Sequence, residues 1–276
     1  MRIPDWIVFS LVLSVILYAL FVGDKDASAP EPPPSEIAGE LGPLLPDADI
    51  FEEEVLVQVG ETTDGVGTAF ALDRSGTWIT ARHVVDGCTE VGLSTGGNRY
   101  VPVARVRTAR NADLAILETR QAPRNLAFDL SGDLRVGETG FHVGFPQGRS
   151  GEATSRLLAR SRLVTRGRYR NEEPVLAWAE MGRTRGLSGT LAGMSGGPVF
   201  DADGKVVGVT VAESPRRGRI YTAAPVSLTS FLDSEGLQPA DGEARALTVD
   251  SYGREADRLR RELTVVKVIC RAEKAA

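Results

Sequence analysis

Residues 193–198 read GMSGGP and set one hydroxyl, that of Ser195, among glycines and a proline. Such a run is a turn in its own right, because glycine enters left-handed backbone regions and proline fixes φ. The same run can present a nucleophile. A serine hydroxyl attacks a carbonyl carbon only when a base takes its proton, and histidine is the usual base near neutral pH. The chain contains two histidines. His83 lies in WITARHVV, at the end of a predicted strand where the chain should turn; His142 lies inside the predicted strand TGFHVGFP, where a lone ring is more often structural. An imidazole acting as base needs an acid to hold its tautomer. Asp113 heads the apolar run LAIL, and a carboxylate entering a buried strand demands a partner. Asp86, three residues after His83, is the competing acid, or else a brace for the turn. A developing oxyanion needs N–H donors, and Gly193 can turn its own inward.

The elements that must hold these residues read as strands. VLVQVG (55–60), GTAFALD (67–73) and TWITARHVV (77–85) come first, with DRSG (73–76) as a hairpin turn. VPVARVRT (101–108), DLAILET (113–119), TGFHVGFP (139–146), RLLARSRLV (156–164) and VLAWAEM (175–181) follow. PVFD (198–201), KVVGVTVA (205–212) and RIYTAAPV (219–226) complete the series. Short strands at this density predict a barrel or a pair of barrels. The segment 147–173, with RGRYRNEE, reads as a mobile loop that could gate activity. LTSFLDSEG (228–236) predicts a closing helix. Residues 251–263 predict an amphipathic helix with Ala256, Leu259 and Leu263 on one side, and TVVKVIC (264–270) a short strand.

The chain has 276 residues, a net charge of −5 and 42% hydrophobic residues. That is enough for one sizeable domain or two small ones, and the acidity argues against nucleic acid as a partner. No His/Cys/Asp cluster has metal-ligand spacing and no glycine-rich phosphate loop occurs, so neither metal nor cofactor is expected. Residues 6–22, WIVFSLVLSVILYALFV, carry no charge and are just long enough to cross a bilayer. Arg2 before the run favours the N-terminus inside and the rest of the chain outside. The rival reading is a cleaved signal peptide ending at Ala27-Ser28-Ala29, which Pro30 would hinder. Both export the remainder. Residues 24–49 then read as a Pro-stiffened spacer.

Three of these motifs bear a family resemblance. ITARHVV resembles the histidine motif of trypsin-like serine proteases, NADLAIL their aspartate motif, and GMSGGPVFDADGKVVGV their serine motif with its following hairpin. The order His, Asp, Ser is that of the chymotrypsin fold. GTAFALD is similar to the GSGF-type opening of the bacterial HtrA (Deg) branch, VGFPQG to its GxPxG-type turn, and YTAAPVSLTSFL to its FAIP-type strand and closing helix. The resemblance covers about residues 50–238. It implies an all-β fold of two six-stranded antiparallel β-barrels with the active site between them. With the flanking segments, the expected organisation is a transmembrane anchor (1–23), a linker (24–49), a protease domain (50–238) and a helix-plus-strand tail (239–276).

By position, the resemblance implies Ser195 as nucleophile, His83 as general base and then acid, and Asp113 as its orienting acid. The N–H groups of Gly193 and Ser195, with help from Met194, would form the oxyanion hole. Val207–Ala212, with Val209, Thr210, Val211 and Ala212, would line the primary pocket and pair with the substrate backbone. Gly189 stands where an acid would select basic residues, which implies an apolar pocket for small or medium side chains. Met194 and Arg82 depart from the family's usual Asn and Ala, and Arg82 could crowd or charge the cleft edge. The residues after 238 are too few for the PDZ domain usual in that branch. TVVKVIC could add as an edge strand to a barrel with Cys270 bonded to Cys88, and two unpaired buried thiols are an equally open alternative. The function implied is a single-pass, inner-membrane serine endopeptidase facing the periplasm. It would act on proteins or peptides in quality control or regulated cleavage, and homo-oligomers are compatible with it. The alternative is a silent or latent scaffold on a protease fold.

Overall fold

The computed structural model of the chain describes residues 41–46, 53–97 and 99–273. The apolar run 6–22 and most of the spacer lie outside the described residues. Among the described residues no helix is long and apolar enough to cross a membrane.

The chain is built mostly of strands. The first sheet takes β2 (Gly65–Ala71), β3 (Thr77–Thr80), β4 (Glu90–Gly96), β5 (Arg99–Pro102), β6 (Arg105–Thr108), β7 (Ala115–Glu118) and β14 (Val265–Arg271). Its order is β5-β4-β14-β2-β3-β7-β6. The second takes β1 (Glu54–Val59), β8 (Thr139–Gly144), β9 (Gly151–Gly167), β10 (Asn171–Arg183), β11 (Pro198–Phe200), β12 (Val206–Ser214) and β13 (Arg219–Ala223). Its order is β1-β9-β10-β13-β12-β11-β8, and β8 also pairs with β9. Those pairings close β8 to β13 into a six-stranded ring, with β1 added outside, parallel to β9. Each sheet thus holds seven strands rather than the six expected, and one pairing is parallel. The architecture is consistent with a chymotrypsin-like fold.

Three differences from the sequence reading have local causes. EVGLSTG (90–96) forms β4, which its Gly, Ser and Thr content disguised as turn. VPVARVRT breaks into β5 and β6, as the proline before Val103 ends a strand that needs its N–H. The expected mobile segment 147–173 is instead largely strand. β9 runs 17 residues with alternating inward and outward positions over much of its length, and hairpins back through β10. Among the described residues three α-helices complete the fold: α1 (Arg82–Val85), α2 (Pro225–Ser234) and α3 (Tyr252–Arg261).

The tail strand β14 is not an edge. It lies between β2 and β4, with Val265 opposite Phe70 and Val268 opposite both Gly67 and Leu93. Val265, Val266, Val268 and Cys270 are buried, so the strand completes the core of the first sheet. Cys270 bonds Cys88, which follows α1, with Cα atoms 5.6 Å apart. Breaking this bond is expected to cost about 2–5 kcal/mol. Urea unfolding with and without reductant measures the loss. Mass mapping of unreduced peptides should return Cys88 and Cys270 joined; both thiols free in exported protein would refute the pairing.

Candidate active site

Pairing register brings the histidine and aspartate motifs together. β3 and β7 are antiparallel, with Thr80 opposite Ala115. The residues that leave β3 therefore meet those that enter β7, and Arg82 N–H donates to Asp113 O at 3.2 Å. His83 stands on α1 and Asp113 just before β7. His83 Nδ1 lies 2.5 Å from Asp113 Oδ2, and Asp113 Oδ1 accepts the His83 main-chain N–H at 2.9 Å. The aspartate side chain is 5% exposed and that of histidine 27%. The competing acid, Asp86, instead pairs with Arg168 at 2.9 Å and Arg82 at 3.6 Å.

Burial alone would lower the pKa of His83, and Arg168 acts the same way, but the charge and hydrogen bond of Asp113 outweigh both and raise it. Burial alone would raise Asp113, but His83, the main-chain N–H and Tyr169 hold it below the usual carboxylate value. The second histidine behaves differently. His142 is fully buried, with Nε2 at 2.7 Å from Ser155 Oγ, and burial pushes its pKa down to about 3. This Ser–His pair is sealed inside the second sheet without an acid, so no substrate reaches it.

Ser195 follows a turn in which Met194 N–H donates to Leu191 O at 2.8 Å and Gly193 takes φ +98°. A type II turn needs that positive φ at its third position. Among the described residues, neither Gly193 N–H nor Ser195 N–H has a protein acceptor. The other glycines serve packing. A Cβ on Gly196 would stand 2.2 Å from Thr68 O, and one on Gly197 2.4 Å from Val143 O. Thr68, on β2 of the first sheet, donates its N–H to Ser195 O at 2.9 Å and its hydroxyl to Gly193 O at 2.8 Å. Gly196 thus admits the opposite sheet, and Gly197 admits β8 of its own sheet.

Ser195, His83 and Gly193 line one cleft of about 420 Å³, together with Val211, Ala212 and Glu213. β12 pairs with β11 only as far as Val209, so its edge is open to that side beyond Thr210. Val209 and Thr210 are buried behind the cleft, and Gly189 is exposed outside its lining. Glu213 was missed in the sequence, although it continues the pocket strand by one residue. Its carboxylate accepts Leu191 N–H at 2.9 and 2.8 Å and the Thr190 hydroxyl, so the wall is not wholly apolar.

A second missed acid lies behind Asp113. Glu173, on β10, is 1% exposed; its Oε1 accepts Asp113 N–H at 2.6 Å and Asn171 Nδ2–H at 3.2 Å. Burial first and the Asp113 charge second raise its pKa well above the ordinary value, which favours its protonated form. Glu173→Gln keeps size and neutrality and should change stability by less than about 1 kcal/mol at neutral pH. Glu173→Ala strips Asp113 N–H of its acceptor and should cost about 1–3 kcal/mol. Urea unfolding of the two variants decides it; equal losses would mean that Glu173 is ionised.

Comparisons with known proteins bear on the family and the fold. The model of the trypsin-like peptidase domain family matches residues 67–209. A "Probable periplasmic serine endoprotease DegP-like" of Bartonella henselae is 30% identical over 161 residues, 57% of this chain and 30% of its own length. "Protease Do-like 1, chloroplastic" of Arabidopsis thaliana is 25% identical over 170 residues, 59% of this chain and 36% of its own. The chain thus spans about a third of the length of these relatives. Among solved structures, the active form of the Rv3671c protease from M. tuberculosis superposes with a TM-score of 0.51 at 22% identity. The match covers 66% of this chain and 78% of that one, and shows a shared fold. The family model extends over more than half of the chain and across the segments that carry His83, Asp113 and Ser195, and the chain belongs to the trypsin-like peptidase domain family.

Proposed function

We propose that the protein is a serine endopeptidase, held at the outer face of the cytoplasmic membrane by residues 6–22. The observation that carries the catalytic reading is the 2.5 Å His83–Asp113 pair, whose histidine lines one cleft with Ser195 and the unengaged N–H groups beside it. Nδ1 of His83 is committed to Asp113, which leaves Nε2 as the basic atom. It takes the proton of Ser195 Oγ as that oxygen attacks the scissile carbonyl, and returns it to the leaving amine. The N–H groups of Gly193 and Ser195 receive the charge that develops on the carbonyl oxygen. Water then repeats the sequence on the acyl-enzyme, and the proton again passes through His83. The open edge at Val211–Glu213 supports an extended peptide pairing there, which favours protein or peptide substrates. The exported location rests on the apolar run and on the disulfide, which suits an oxidising compartment.

Full-length protein and Ser195→Ala, treated with a fluorophosphonate probe and then with casein, test this reading. Labelling and casein cleavage should both be lost in the variant, by about a thousandfold or more. Wild-type protein that is folded but neither labels nor cleaves would favour the silent scaffold.

The base must be neutral to work, and its pKa is raised. Cleavage should therefore rise with pH through a midpoint above the ordinary histidine value of about 6.5. A rate flat from about pH 5 to 8 would remove His83 as the base.

A further inference from the structure

The long hairpin of the second sheet ends against the candidate catalytic acid of the first. Tyr169, in the β9–β10 turn, donates its hydroxyl to Asp113 Oδ1 at 3.0 Å. Its ring lies under the guanidinium of Arg82, whose carbon stands 3.9 Å from the ring centre. Arg82 is held in turn by Ala109 O, which accepts from Nη1 at 3.1 Å. The neighbouring Arg168 donates to Asp86 Oδ2 at 2.9 Å and to the Thr62 hydroxyl, which ties the tip to the end of α1. Glu173, further along the same hairpin, holds the Asp113 N–H. Three residues of one hairpin, Arg168, Tyr169 and Glu173, thus converge on the aspartate and on the helix that carries His83.

We infer that Tyr169 is a positioning residue, whose hydroxyl fixes the Asp113 carboxylate and so sets the orientation and proton affinity of His83. This rests on the reading of His83 and Asp113 as base and orienting acid. Asp113 Oδ1 and Oδ2 divide the work: one takes the tyrosine hydroxyl and the His83 main-chain N–H, the other faces the ring. Without the tyrosine, Oδ1 keeps the His83 main-chain N–H, so the carboxylate stays on the imidazole with its charge answered by one donor fewer. Burial, then the charge and hydrogen bond of Asp113, raise the pKa of Tyr169, so it remains a donor throughout the working range. The same geometry explains Arg82, whose bulk stacks on the tyrosine.

The sign of the effect follows from the charges around the ring. Asp113 raises the proton affinity of His83, while Arg168 lowers it. Arg82 opens α1 and Asp86 closes it, the two paired with each other, and the raised pKa of Glu173 favours its protonated form. The Tyr169 hydroxyl points its positive end at the carboxylate and blunts the pull of Asp113 on the imidazolium. Its removal should therefore move the His83 midpoint upward.

Tyr169→Phe in the full-length protein tests this, because it removes one oxygen and leaves the ring under Arg82. The chain has two histidines, and His142 is held at about 3 while the pKa of His83 is raised, so the two imidazole NMR signals separate and report His83 without any need for turnover. The midpoint should rise by about half a pH unit or more in Y169F, and fall in Asp113→Asn, which removes the charge itself. Below the midpoint, kcat should drop by about threefold or more with KM unchanged, and the difference should shrink at higher pH. An unchanged midpoint and pH profile in Y169F, with a lowered Tm and a normal response of D113N, would overturn the inference and leave a purely structural tyrosine. If D113N also fails to move the midpoint, the His83–Asp113 reading falls, and Tyr169 with it.

Discussion

A carboxylate buried between two sheets is the constraint from which much of the rest follows. Asp113 is 4% exposed, and an ionised group so placed is tolerable only when every lone pair is answered. The His83 ring, the His83 main-chain N–H and the Tyr169 hydroxyl answer it, from both sheets. Glu173, close behind, accepts the Asp113 N–H, and burial and the Asp113 charge push its pKa up. Two adjoining acids are thus shifted in opposite directions, each by the other and by its surroundings.

The nucleophile turn is shaped by a second constraint, the close approach of the sheets. Thr68 uses its N–H and hydroxyl on the carbonyls of Ser195 and Gly193, and its hydroxyl also accepts Phe145 N–H at 3.0 Å. This approach leaves no room for a Cβ at residue 196, and Val143 O of the same sheet leaves none at residue 197. The turn that frees two N–H donors is therefore held from outside, by a strand of the other sheet. Preorganised donors of this kind need no rearrangement as charge develops on the substrate.

The chain end is bound into the same scheme. β14 sits between β2, which carries Thr68, and β4, and the disulfide ties it to the loop after α1. Cys270 also lines the cleft that holds His83 and Ser195. Residues remote in sequence thereby share the rigidity of the first sheet, and loosening the tail would loosen the wall of the site.

By itself the sequence determined which groups are available for chemistry: one serine in a glycine turn, two histidines, and an aspartate at the head of an apolar run. It also determined most of the strands, because inward and outward positions alternate along the chain and turns have local signatures. It could place the tail strand in a barrel but not within the sheet, since register partners leave no local mark. Tertiary structure alone decided that Asp113 rather than Asp86 faces His83, through the register of β3 on β7. It alone brought in Tyr169, 56 residues from Asp113, Glu173, 60 residues away, and Thr68, 125 residues from Gly193. Hydrogen bonds of that range depend on how the two sheets dock, and docking is set by the summed burial of many side chains rather than by any short stretch.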